Sequence, residues 1–180
     1  VGGRIEGLTC GRWIGRGAAR GWDLELFPGI VSGVLHPDLR EGTAHVPVYG
    51  RSAVDRSVSA RGIPLFSDAV ANGISHVVSR LPGYRARQVD RLVRVICREQ
   101  PDIVHSLEIQ HAGYLTMEAK QRFGAAFPRW ILTNWGSDIL LYRRLPEHLP
   151  KIKQALASCD FYSRQRRPDV DLAREPRLAG

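Results

Sequence analysis

Two short polar clusters carry the side chains best suited to chemistry. The first is His105-Ser106, with Glu108 and His111 close behind; the second is Asn134-Trp135-Gly136-Ser137-Asp138. An imidazole can donate or accept one bond at neutral pH, and carboxylates and amides can grip hydroxyl groups. His111 falls where a helix begins, and the exposed N–H groups of a helix start favour an anion. Trp135 offers a flat ring for stacking and one indole N–H, while Gly136 lets the backbone approach a ligand or turn sharply. Asp138 can cap local amides or bind a hydroxyl. His105, Glu108 and His111 are metal-ligand types, but their spacing matches no zinc pattern, and no metal is expected. Each residue also has an ordinary structural role open to it, as a strand-end hydrogen bond, a cap or packing. The GxGxxG, GxxxxGK[ST] and GxSxG motifs do not occur, which argues against dinucleotide, P-loop and esterase chemistry.

Both clusters follow apolar runs, "DIV" and "RWILT", so each reads as the end of a buried strand. The alternation in "GWDLELFPG" predicts a half-buried strand over 22–27, with Trp22, Leu24 and Leu26 on one side. A second strand is read at 43–48, near a sheet edge because of Pro47. Residues 50–67 read as a loop, rich in Gly, Pro, Ser and Arg. A helical region over 68–99 is broken at Leu81-Pro82-Gly83 and stopped by Pro101. Its second half sets Val89, Leu92, Val93 and Ile96 against a stripe of Arg87, Arg91, Arg94 and Arg98. Further elements are a strand at 102–106, a helix at 111–123 capped by Gly124, a strand at 129–135, a helix at 150–158 and a strand at 159–163. A weak helix is read at 12–20. The Ile103-Val104 core is typical of a strand covered on both faces. Alternating strands and helices predict an α/β fold built on an open parallel sheet, with ligands bound beyond the carboxyl ends of the strands. On that architecture both polar clusters share one rim.

Composition sets the outer bounds. The chain has 180 residues, 43% apolar and 24% charged, enough for one α/β domain. No apolar run approaches the roughly 18 to 20 residues of a membrane span, and no signal peptide is read at the N-terminus. The absence of an initial Met suggests a chain that begins inside a longer reading frame. Cys10, Cys97 and Cys159 form no CxxC pair, which points to a reducing cytoplasm. The net charge of +8, carried mostly by arginine, suits an anionic partner.

The run "PDIVHSLEIQHAGYLTMEAKQRFG", followed by "WILTNWGSDI" and "ALASCDFYS", resembles the N-terminal domain of family 4-like glycosyltransferases of the GT-B fold. The matching positions are the strand end at 101–106, His111-Ala112-Gly113, and Thr133 to Asp138. The resemblance implies a Rossmann-like domain, half of a GT-B fold, over 12–163, with an irregular segment at 1–11 and a polar tail at 164–180. It implies that this half binds the acceptor, a glycan or lipid-linked carbohydrate. A separate C-terminal domain, whose E-x7-E-type motif is not found here, would bind the nucleotide-sugar donor without a metal. Without that domain the chain is expected to be inactive. His105, Ser106, Glu108, His111, Asn134, Trp135, Gly136, Ser137 and Asp138 become candidate substrate-binding residues. Trp135 replaces a histidine that family members often use to contact the transferred sugar, and no catalytic residue is assigned. The arginine stripe would meet an acidic membrane surface from the cytoplasmic side. The alternative is a non-catalytic basic α/β module for nucleic acid or a phosphorylated partner. Nucleic acid is the less favoured partner, because no motif of interleaved aromatics accompanies the charge.

Overall fold

The computed structural model describes residues 17, 19–29, 42–50, 59–134 and 137–164. The segment 1–11, most of the expected helix at 12–20, the residues Trp135 and Gly136, and the tail after Arg164 lie outside them. Two compact units divide the chain, Val1–Arg85 and Ala86–Gly180. All described strands pair in parallel, three in each unit, as the α/β reading requires.

In the first unit, β1 (Glu25–Leu26), β2 (Thr43–Tyr49) and β3 (Ser59–Pro64) lie side by side in that order. Ala44 and Val46 are each 2% exposed and pack with Leu24, Leu26, Tyr49 and Ala60. His45, also buried, bonds the Glu25 carboxylate of the neighbouring strand. Three expectations need correction. The strand expected over 22–27 shrinks to two residues, and Trp22 is 59% exposed rather than half-buried. The expected loop at 50–67 contains β3, because pairing with β2 overrides a composition poor in strand formers. Pro47 is not on an edge strand: β2 is central, and the ladder shifts register between His45 and Val48. A bulge tolerates the missing N–H that a regular central strand would not. Helix α1 (Asp68–Ser79) follows, with the Ser67 hydroxyl accepting from Ala69 N at 3.2 Å and Asp68 favouring the positive helix start.

Helix α2 (Tyr84–Glu99) confirms the break at 81–83, with Gly83 at φ 73°. It buries Gln88, Val89, Leu92, Val95 and Ile96, so Val95 takes the inner place expected of Val93. Arg87, Arg94 and Arg98 are exposed and Arg91 is half-buried. The helix stops at Gln100, whose φ of 46° reverses the chain just before Pro101.

The second sheet contains β4 (Ile103–Ser106), β5 (Arg129–Asn134) and β6 (Phe161–Arg164), in that order. Between β4 and β5 a π-helical turn, Ile109–Gly113, runs into α3 (Tyr114–Phe123), which ends at Gly124 with φ 87°. Between β5 and β6 lie α4 (Ser137–Tyr142) and α5 (Leu149–Ser158), with Pro150 in the first turn of α5. The strands follow one another in one direction across the sheet, so crossovers of the usual right hand put α3 and α5 on one face, and the two helices touch. That face buries Trp130 and Leu132 completely, in a unit core that also holds Ile109, Leu115, Ile139 and Ile152. The opposite face leaves Ile103 and Phe161 each 53% exposed, which corrects the expectation that the Ile103-Val104 core is covered on both sides.

Asp160 fastens β6 to this core. Its carboxylate accepts from Trp130 N at 2.7 Å and from Lys120 Nζ at 3.0 Å, and the same lysine donates to Ser158 O at 2.8 Å. The Trp130 amide bond, then the Lys120 bond, hold the Asp160 carboxyl below the usual carboxylate range. A depressed pKa means that this stabilisation is fully present above the unfolded-state value, about 3.9, and is lost as pH falls through the folded value. Asp160→Asn is therefore expected to melt below wild type at neutral pH. The gap should close on acidification below about pH 4, as thermal melts across a pH series would show.

Candidate functional site

The carboxyl ends of β4 and β5 are neighbours in register, Ser106 beside Leu132 and His105 beside Ile131. Both polar clusters therefore start from one rim. Side chains alternate along a strand, however, so His105 and Ser106 point to opposite faces. His105 lies on the open face, where its Nε2 is 2.7 Å from Thr133 Oγ1. Although much of the residue meets solvent, desolvation of the packed side lowers its pKa from the ordinary histidine value. The neutral imidazole is thus favoured, able to hydrogen-bond a hydroxyl without carrying charge.

Ser106 lies on the inner face, 2% exposed. Its hydroxyl is 2.8 Å from Thr116 Oγ1, accepts from Trp130 Nε1 at 3.0 Å and has Ala112 O at 3.4 Å. One hydroxyl offers one donor and two lone pairs, so this group is committed to joining β4, β5 and α3. Thr116 and Trp130 were not singled out from the sequence, since only the folded chain brings positions 106, 116 and 130 together.

Glu108 caps the π-helical turn. Its Oε1 accepts from Ala112 N at 3.3 Å and lies 2.9 Å from His111 Nδ1. The helix was expected to begin near His111; it starts at Ile109, with five residues in the wider π winding. Such turns recur at functional sites. Gly113 closes the turn tightly, because a Cβ there would stand 3.0 Å from both Glu108 O and the Leu132 side chain. The Glu108–His111 pair and His105 do not converge on one point, since His105 is turned to Thr133.

Asn134 ends β5 on the same face as Trp130 and Leu132. It is 0% exposed, and both its Oδ1 and its Nδ2 lack a hydrogen-bond partner. Ser137 and Asp138 open α4, a helix not read from the sequence. Elsewhere in the same unit, Tyr114 OH lies 3.1 Å from His148 Nδ1, and Tyr142 meets the same imidazole edge-on at 4.9 Å between centroids. No motif announced that cluster.

A parallel α/β unit with polar side chains gathered at the carboxyl ends of adjacent strands belongs to the large class of folds that bind ligands at that rim. The chain belongs, more narrowly, to the glycosyl transferase 4-like family, whose family model matches residues 76–165, half of its length. The matched region contains both strand ends. No curated protein matches the chain.

Proposed function

We propose that this chain forms the acceptor-binding side of a GT-B glycosyltransferase, which moves a sugar from a nucleotide-sugar donor to a hydroxyl of a glycan or lipid-linked acceptor. The supporting observation is that the family match covers both polar strand ends and the rim they share. Hydroxyl-bearing ligands suit this chemistry: a neutral histidine, a carboxylate–histidine pair and a carboxamide all form directional bonds with alcohols. Donor binding falls to a second domain, and the transfer proceeds without a metal.

The acceptor is met at the cytoplasmic membrane face. No helix among the described residues is long and apolar enough to cross a membrane. The exposed Arg87, Arg94 and Arg98 of α2 present positive charge that acidic headgroups would attract.

The test uses the intact gene product with radiolabelled nucleotide sugars and membrane-derived lipid and glycan acceptors. Label should pass into an acceptor, and transfer should persist after chelation of divalent ions. Replacing the four stripe arginines by serine should weaken capture by anionic vesicles roughly a hundredfold or more, at about 1 kcal/mol for each basic residue near the surface. Failure of transfer from every donor, together with salt-sensitive binding to generic DNA, would replace this reading with that of a basic binding module.

A further inference from the structure

Resting on that reading, we propose that Asn134 is the residue that reads the ligand: its carboxamide binds a hydroxyl of a pyranose ring, giving one bond and receiving one. Three observations meet at this position. Asn134 is wholly buried, yet neither end of its amide is paired. Leaving an amide unpaired in an apolar setting costs on the order of 2–7 kcal/mol, so most buried amides have partners. Directly beneath it on the same face, the next polar layer is satisfied: Trp130 donates to Ser106, and Ser106 meets Thr116. On this face of β5 the buried indole N–H is thus paired, and the carboxamide at the rim is not.

Position decides what the amide meets. Asn134 is the last residue of the middle strand, β5, at the carboxyl end where such sheets bind ligands. The π-helical turn stands over the same face, since Gly113 approaches Leu132, two residues before Asn134. The chemistry narrows the ligand. A carboxamide has an acceptor oxygen and a donor nitrogen. A fully ionised oxyanion such as sulfate would answer the donor but leave Oδ1 unpaired. A sugar hydroxyl answers both, by accepting from Nδ2 and donating to Oδ1 through itself or a vicinal neighbour. The amide is 0% exposed, so a bound hydroxyl must displace the groups that cover it. Binding then releases the penalty of the unpaired amide, which sharpens discrimination against ligands lacking the hydroxyl.

The test compares wild type with Asn134→Leu, which keeps the branch at Cγ and the number of side-chain heavy atoms while removing both polar atoms. Melting temperatures are measured for the full chain alone, with glucose, mannose or galactose at high millimolar concentration, and with sulfate. The leucine side chain has no polar group to leave unpaired, so the variant should melt higher than wild type by about 4 °C or more. At least one hexose should raise the wild-type melting temperature, and the same hexose should leave the variant unmoved; sulfate should not discriminate between them. A variant that melts lower, or does not fold, would show that the amide is already paired by a fixed water, and would overturn the proposal. So would an equal hexose shift in both proteins. In either case the glycosyltransferase reading would still stand on its own transfer assay. Absence of any hexose shift in wild type would remove the proposal as well, whatever that assay gives.

Discussion

Trp130→Ala is expected to cost about 3–5 kcal/mol of folding stability, the range for emptying a fully buried large aromatic site. Trp130 is 0% exposed near the start of the middle strand of its sheet. Its ring faces the helix-covered side, its indole N–H donates to Ser106, and its backbone N–H donates to the Asp160 carboxylate. Its carbonyl accepts from Asp160 N at 3.0 Å. The backbone bonds survive the substitution, so the loss comes from the ring: apolar contact, the cavity left behind and one hydrogen bond. Trp130→Phe separates these parts. It keeps most of the volume and gives up the N–H, and since Ser106 retains Thr116 as a partner, the cost should fall to about 1–2 kcal/mol. Urea unfolding of the three proteins at neutral pH measures the series. An alanine variant within about 1 kcal/mol of wild type would mean that this strand does not organise the core. The phenylalanine variant should keep the wild-type hexose response, because Asn134 sits two strand repeats beyond Trp130.

The elements that could be read from the chain are those whose signal is local. Val89, Leu92 and Ile96 recur at helical spacing and are buried where that spacing puts them, and Gly124 supplies the left-handed stop its position suggested. The strands ending at Ser106 and Asn134 declared themselves by apolar runs that stop at polar clusters. What escaped depends on partners distant in sequence. Strand β3 reads "SARGIP", with a single β-branched residue, and exists because β2 offers it a ladder. The π-helical turn inserts a residue's worth of winding that no 3.6-residue period predicts. Among the candidate site residues, sequence order put His105 and Ser106 side by side, whereas strand geometry sends one to the open face and the other into the Trp130 network. The buried, unpaired amide of Asn134 is a property of packing alone: an asparagine at a strand end looks the same in sequence whether paired or not.

The edge strand also yields the sharpest contrast between two glycines. Gly62→Ala should destabilise the protein by about 2–3 kcal/mol, whereas Gly73→Ala should stabilise it by about 0.5–1 kcal/mol. At position 62 a Cβ would stand 2.0 Å from Val46 O, 3.0 Å from Val46 C and 3.1 Å from Pro47 O. These are backbone atoms of the central strand, at the bulge where Pro47 interrupts the ladder, and no side-chain rotation can relieve the clash. Either β3 moves outward and gives up its bonds to β2, or β2 itself shifts and disturbs the buried Ala44 and Val46. Because β3 is the edge strand, outward movement is the cheaper course, which keeps the expected loss near the upper end of ordinary overpacking rather than beyond it. Position 73 lies within α1, and a Cβ there meets nothing within 4 Å. Alanine then only reduces the freedom of the unfolded chain and favours the helix. Unfolding curves give the two signs. Amide exchange locates the damage in the first: the Leu65 N–H, bonded to Tyr49 O at 2.8 Å, should lose protection in Gly62→Ala and keep it in Gly73→Ala. If both substitutions moved stability in the same direction, the close approach of β3 to the Val46 carbonyl would be wrong, and with it the bulge that explains how a proline occupies the middle strand.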